Sequence, residues 1–164
     1  RARIAKKKYQ LFKPSVDNRY SDTEVVSHSG DRLECQVLQN AFQISDFLED
    51  DVEIVAFDEA QFFDTTLVTT AISLADMGKR VIIAGLDMDS ESQPFGPMGD
   101  VMAMAEKVTK LTAVCEVCGT DATHTLRVSD TPGQVLVGEH DHYKATCRTH
   151  WLEKTEHYSK REAS

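Results

Sequence analysis

The sequence predicts an α/β protein, a parallel sheet with helices on both faces, followed by a small metal-binding domain. Three observations predict it. An apolar run from Val52 to Phe57 stops abruptly at Asp58-Glu59, a stretch with helical spacing from Thr65 to Met77 links it to a second apolar run from Arg80 to Leu86, and two short pairs, Cys115-x-x-Cys118 and Cys147-x-x-His150, mark the last third. Two strands flanking one helix make a βαβ unit, the connection parallel strands require, with a right-handed crossover.

The first residues, Arg1 to Lys8, carry no cap or turn signal before them and read as the tail of a helix already under way. Tyr9 to Lys13 is a short strand, which Pro14 stops by removing a donor. Asp17, Asn18 and Arg19 are turn-prone, Ser21 to Gly30 is a polar loop, and Leu33 to Leu38 returns to strand alternation. Ala41 to Leu48 reads as a short amphipathic helix with Ser45 and Asp46 on its polar side. In the run from Val52 to Phe57 only Glu53 is polar, which predicts a strand buried on both faces. Asp58 and Glu59 then fall at its carboxyl end. Open α/β sheets bind ligands at that edge, where an Asp can hold Mg²⁺ on a nucleotide while its neighbour handles a proton; an ordinary acidic turn is the other reading of two acids.

Leu67, Val68, Ala71, Ile72 and Ala75 form the apolar stripe of the following helix, with Gly78 placed for a left-handed stop. Arg80 to Leu86 is the next buried strand, and Asp87 again lands at a carboxyl end. Met88 to Gln93 is polar, Pro94-Phe95-Gly96-Pro97 is a constrained turn into a helix over Met98 to Glu106, and Lys107 to Val114 is a last strand before the cysteines. Between the Cys/His pairs, Gly133 to Gly138 and Tyr143 to Thr146 suggest two short strands joined by the turn Glu139-His140-Asp141-His142. Beyond Trp151 the residues are polar and predict a frayed tail. The expected domains are therefore 1–114, 115–151 and a tail at 152–164.

Composition narrows the function. A chain of 164 residues with 41% hydrophobic content can bury one ordinary domain and a small satellite. A net charge of -9 opposes a broad nucleic-acid footprint, because phosphate binding needs clustered Lys and Arg. The basic residues of Arg1 to Lys8 read as a DNA-binding arm or a solvated helix face, and the helix face is preferred. No long apolar window and no apolar core behind the basic start argue against a membrane span and a signal peptide, leaving a cytoplasmic protein as the default.

Of four cysteines, three stand in paired positions with a histidine, which is how a reducing compartment uses thiols for zinc. Each pair suits a tight knuckle aiming two ligands at one ion, and a four-ligand N/S set is a structural Zn²⁺ site. The ligands are Cys115, Cys118, Cys147 and His150. His124, His140 and His142 compete at poorer spacing, His124 reading better as a solvent or outer-shell residue. Cys35, within LECQVL, is expected as a buried free thiol.

Four motifs in order carry a resemblance: Phe12-Lys13-Pro14 with Asp17-x-Arg19-Tyr20; Asp58-Glu59-Ala60-Gln61-Phe62-Phe63; Ala84-Gly85-Leu86-Asp87 with Pro94-Phe95-Gly96; and the Cys/His pairs. Together, over about Arg1 to Trp151, they resemble the zinc-containing, cellular type of thymidine kinase, the type II family. The resemblance implies a P-loop NTPase-like (RecA-like) sheet and a lasso-like zinc domain that closes over thymidine, with zinc pinning both ends of the lasso. It implies transfer of the ATP γ-phosphate to the thymidine 5′-hydroxyl in pyrimidine nucleotide salvage. Glu59 would be the base and Asp58 the holder of Mg²⁺ with ATP, Asp17 would help the magnesium shell, Arg19 would reach phosphate, and Gln61 would have a secondary, cofactor-binding role nearby. Leu86, Thr125, Val137, Gly138 and Tyr143 match the thymine-binding positions, though Tyr143 reads equally as a half-buried strand residue.

Such kinases are commonly homotetramers under feedback by thymidine triphosphate, and the partners implied are thymidine and ATP, with no nucleic acid and no membrane. The chain departs from the pattern in three places. Ser90 stands where a phenylalanine commonly follows the Leu-Asp pair, so Phe62, Phe63 or Phe95 is left to supply a stacking wall. His150 replaces a common fourth cysteine. A G-x-x-x-x-G-K-[ST] phosphate loop does not occur in these residues, and it is expected upstream of Arg1. The alternative from another class is a non-catalytic zinc-ribbon interaction or nucleic-acid-binding module on a degenerate nucleotide-binding fold.

Overall fold

The computed structural model describes residues 4–15, 24–26, 32–128 and 142–162. They fall in two units, Arg1–Asp87 with Pro94–Glu106, and Met88–Gln93 with Lys107–Ser164. The first unit contains strands β1 (Tyr9–Pro14), β2 (Glu24–Val26), β3 (Arg32–Glu34), β4 (Gln36–Leu38), β5 (Ile54–Phe57) and β6 (Arg80–Ile83), with helices α1 (Thr66–Asp76) and α2 (Met98–Met104). Its main sheet is parallel in the order β4-β1-β5-β6. Phe12 pairs with Phe57 and Phe57 with Ile83, so three strands end at nearly one level.

Val55 and Phe57 alternate inward from β5 and join Phe12, Leu67, Leu74, Met98 and Val101 in the core. The Phe57 ring packs against Phe12 at 5.9 Å and edge-on against Phe63 at 5.7 Å. Such ring pairs contribute about 0.5–1.5 kcal/mol each beyond buried area. They anchor the chain directly before and after Asp58-Glu59. The other face of β5, carrying Ile54 and Ala56, is only half-buried among the described residues, which corrects the expectation of burial on both faces.

In α1 the buried positions are Leu67, Thr70 and Leu74. The expected stripe is thus rotated: Val68, Ala71 and Ile72 are half-buried and Ala75 is exposed. The helix stops as predicted, with Gly78 at φ 77 and its N–H on Ala75 O at 2.8 Å. Strand β6 is not buried; among the described residues it pairs only with β5, and Ile82 is 43% exposed. Apolar content in a strand does not distinguish an edge from a centre, because partners decide that.

The expected strand from Leu33 to Leu38 breaks at Cys35, leaving β3 paired antiparallel with β2 and β4 in the main sheet. Cys35 is buried and in no disulfide, as expected. Ala41–Asp46 forms a 3-10 helix whose N-cap, Asn40, accepts from Gln43 N–H through its side chain. The start of the chain is not a helix tail where it is described. Ile4 to Lys6 is a turn, Lys7 pairs with Glu53, and Lys8 pairs with Glu49 and Asp51 at 2.6 Å each. Those lysines are exposed, and they meet acids on the segment before β5 instead of lying on a helix.

The second unit holds β7 (Ala113–Val114), β8 (Asp121–Ala122), β9 (His124–Arg127), β10 (Tyr143–Thr146) and α3 (Arg148–Glu162). β7 pairs with β8 and β9 with β10, both antiparallel. Strand structure covers only the last two residues of the expected 107–114 segment, and the residues before them are exposed. The partner of β10 is β9, which no alternation announced; the expected strand at 133–138 lies outside the described residues. The frayed tail expected beyond Trp151 is instead helical to Glu162. Among the described residues no helix is long and apolar enough to cross a membrane.

Candidate active site and metal centre

β5 is interior to the sheet, bonded on both sides, and Asp58 follows its last residue. The Asp58 N–H donates to Phe12 O at 2.9 Å, continuing the ladder one residue past the strand. The chain then turns sharply. Glu59 has φ 50 and ψ 40, a left-handed conformation, and heads the short 3-10 helix Ala60–Phe62. A non-glycine residue held there costs about 1–2 kcal/mol, and such positions concentrate at functional sites. The direction of the Glu59 side chain is therefore set by this turn and not by strand alternation.

Two hydrogen bonds fix the carboxylate turn from inside. Gln61 Nε2 donates to Glu59 Oε2 at 2.6 Å, and Gln61 Oε1 accepts from Leu86 N–H at 3.0 Å. The backbone contributes a third tie, Ala60 N–H to Ala84 O at 3.0 Å. Leu86 is itself exposed, and Asp87 O accepts from Phe95 N–H at 3.0 Å. Phe95 packs edge-on against Phe62 at 5.4 Å, while Phe63 is buried in the core and so is not a free wall. Asp58, Glu59, Gln61, Leu86, Asp87 and Phe95 thus belong to one edge of the first unit.

Lys13, part of the Phe12-Lys13-Pro14 motif but given no role from sequence, also lies here. Lys13 is only 2% exposed, and the Phe12–Phe57 register puts it level with Asp58 on the neighbouring strand. A buried lysine at a carboxyl edge is rare, and nothing in the spacing around Phe12-Lys13-Pro14 announced its burial. Asp17, Arg19, Val137, Gly138 and His140 lie outside the described residues. A hollow of about 630 Å³, lined by Lys7, Asp50, Glu53, Lys79 and Arg80 among others, lies at the opposite, amino-terminal edge of the sheet, away from these acids.

In the second unit, Cys115, Cys118, Cys147 and His150 bring their ligand atoms within 4.8 Å of one another. Local sequence explains the convergence. Gly119 at φ 75 lets its N–H reach Cys115 O at 2.8 Å, closing the first knuckle, and Cys115 N–H reaches Thr120 O at 2.7 Å. Cys147 directly precedes α3, and Trp151 N–H bonds to Cys147 O at 3.0 Å, so His150 falls in the first turn on the cysteine's side.

Donors bound to one tetrahedral zinc, at about 2.3 Å for sulfur and about 2.0 Å for nitrogen, lie roughly 3.5–3.8 Å apart. The separations are 3.9 Å for Cys118 Sγ to Cys147 Sγ, 3.7 Å for Cys115 Sγ to His150 Nδ1 and 3.2 Å for Cys147 Sγ to His150 Nδ1. The donor set fits zinc. Burial pushes the Cys115 thiol up, but N–H groups of Cys147, Cys118 and Val117 outweigh it and bring the thiol down to about 6. The His150 N–H and side chain lower Cys147 as well, and the Cys147 and Cys115 sulfurs raise His150. His150 Nε2 faces Glu153 at 4.0 Å, which leaves Nδ1 toward the sulfurs.

His124 and His142 are not in the cluster. His124 is buried, not solvent-facing, with its ring 5.5 Å from Trp151 and Nδ1 2.9 Å from Thr123 Oγ1. Thr125 and Tyr143 lie half-buried on β9 and β10, and Val128 N–H bonds to His142 O at 2.9 Å, so the residues flanking 129–141 are held together. Ser90 offers its carbonyl to the Trp151 indole N–H at 3.1 Å.

The first unit is a parallel α/β sheet with paired carboxylates beyond an interior strand, the edge that nucleotide enzymes use, and the second unit carries a closed Cys3His cluster whose donors fit zinc. The family model described as thymidine kinase matches residues 1–151. The chain belongs to the thymidine kinase family, and its Cys3His cluster fits the cellular type. Membership carries with it a kinase activity, with thymidine and ATP as substrates.

Proposed function

We propose that this protein transfers the γ-phosphoryl group of ATP to the 5′-hydroxyl of thymidine, giving dTMP and ADP. The observation that supports this most is the Asp58-Glu59 pair at the carboxyl edge of an interior strand in a chain of this family. Glu59 takes the 5′-hydroxyl proton as that oxygen bonds to the γ-phosphorus, and the bond to the β,γ-bridging oxygen breaks, leaving that oxygen on ADP. Asp58 would hold the Mg²⁺ that accompanies ATP, which supplies charge neutralisation on the phosphates. Asp17 and Arg19 are assigned to the magnesium shell and to phosphate, and Leu86, Phe95, Thr125, Val137, Gly138 and Tyr143 to the nucleoside.

The zinc has no chemical step. Held by Cys115, Cys118, Cys147 and His150, it would brace the knuckles on either side of residues 129–141, the segment assigned to closing over thymidine. The proposal includes a cytoplasmic homotetramer inhibited by thymidine triphosphate; sedimentation tests the tetramer, and the rate of thymidine phosphorylation with and without that nucleotide tests the inhibition. The reaction is tested by ATP-dependent phosphorylation of thymidine by the full-length protein. Glu59→Gln should retain thymidine binding while kcat drops at least roughly 100-fold, the scale of a lost general base. Turnover near that of the parent would reject the assignment.

A further inference from the structure

Gln61 is 2% exposed and uses both ends of its amide, one on Glu59 Oε2 and one on Leu86 N–H. A main-chain N–H can only donate, so it dictates which end of the amide faces it. The oxygen must point to Leu86, and the NH2 group must then point to Glu59. Glu59 is met by a donor whose orientation is set by the backbone after β6, not by solvent.

The surroundings leave room for this arrangement and little else. A Cβ on Gly85 would lie 2.7 Å from Gln61 Oε1, and one on Gly96 would lie 2.1 Å from Gln61 O. Two glycines without side chains let two separate segments close on one glutamine. Loss of the amide would free Glu59 from its tie to the end of β6 while leaving its own backbone turn in place.

We propose that Gln61 is a positioning residue for the phosphoryl transfer: it fixes the Glu59 carboxylate and couples it to the main chain at Leu86. This rests on the reading that Glu59 removes the hydroxyl proton. Positioning a base affects the step in which the proton moves, and not the affinity for nucleoside. Gln61 therefore acts through Glu59, and its contribution disappears when Glu59 has no proton to take.

The test is a double-mutant cycle in the full-length protein, with Gln61→Met, Glu59→Gln and the pair. Readouts are kcat, thymidine Kd and melting temperature. Gln61→Met should lower kcat roughly 10- to 100-fold, the range seen when an outer partner of a reactive group is lost, with Kd changed less than about threefold. In the Glu59→Gln background the same substitution should change kcat less than about twofold. If Gln61→Met does not fold, Gln61→Glu enters the same cycle, since it keeps the shape and the acceptor for Leu86 N–H but replaces the donor with a carboxylate. Equal losses in both backgrounds, or a loss in Kd without one in kcat, would overturn the positioning role. Near-parent turnover in Glu59→Gln alone overturns the base assignment, and the positioning role with it, and is told apart because it is read in a different variant.

Discussion

Replacing Gly96 by alanine tests how closely the 94–97 turn is seated on the acidic motif. Gly96 sits at φ 51, and an added Cβ would fall 2.1 Å from Gln61 O, about 1.3 Å short of an ordinary 3.4 Å contact. The left-handed conformation alone costs an alanine about 1–2 kcal/mol, of which the stiffer unfolded chain returns about 0.4–1 kcal/mol. Opening the contact requires a backbone shift, and overpacking of that kind costs about 1–3 kcal/mol more. Gly96→Ala should therefore destabilise the first unit by about 1–5 kcal/mol.

Gly78→Ala is the internal control. Gly78 has φ 77 but nothing within 4 Å of an added Cβ, so only the conformational term applies, about 1 kcal/mol. Urea unfolding followed by far-ultraviolet circular dichroism measures both on the same scale. Equal midpoint shifts for the two variants would refute the close seating of this turn on Gln61, whatever their absolute size.

Leu67→Ala removes a side chain with no exposed surface in the core beneath α1, and should cost about 3–5 kcal/mol in the same denaturation assay. Cys147→Ser should reduce bound zinc from about one per chain to near none by elemental analysis, with faster amide exchange at the residues flanking 129–141. Hydrogen bonding to Lys8 holds the Asp51 carboxyl below its ordinary 3.8. A depressed acid stabilises the fold above its unfolded pKa and loses that contribution as pH falls through the folded value. Asp51→Asn should thus lower the urea midpoint slightly at neutral pH and low salt, the difference vanishing below the folded pKa of Asp51 and shrinking at high salt, because the pair is exposed.

Local spacing determined a good part of this protein from sequence alone. The strand at Val52–Phe57, the helix after it, its glycine stop and the four zinc-type ligands were legible because each depends on residues a few positions apart. Two nearby knuckles need only a short ladder to converge, so ligand spacing was sufficient there. The acidic pair could be located by the same logic, since a strand's end is visible where apolar residues stop.

Tertiary structure decided what depends on distant partners. Whether β6 is an edge, which face of α1 is buried, and that β9 pairs with β10 all follow from pairings that a periodic pattern does not contain. The left-handed turn at Glu59, the burial of Lys13 and the amide bridge from Glu59 through Gln61 to Leu86 likewise appear only when separate strands end at one level. Residue types near the acids were readable, but their orientation was not, because a hydrogen bond between residues 61 and 86 leaves no trace in the spacing of either segment.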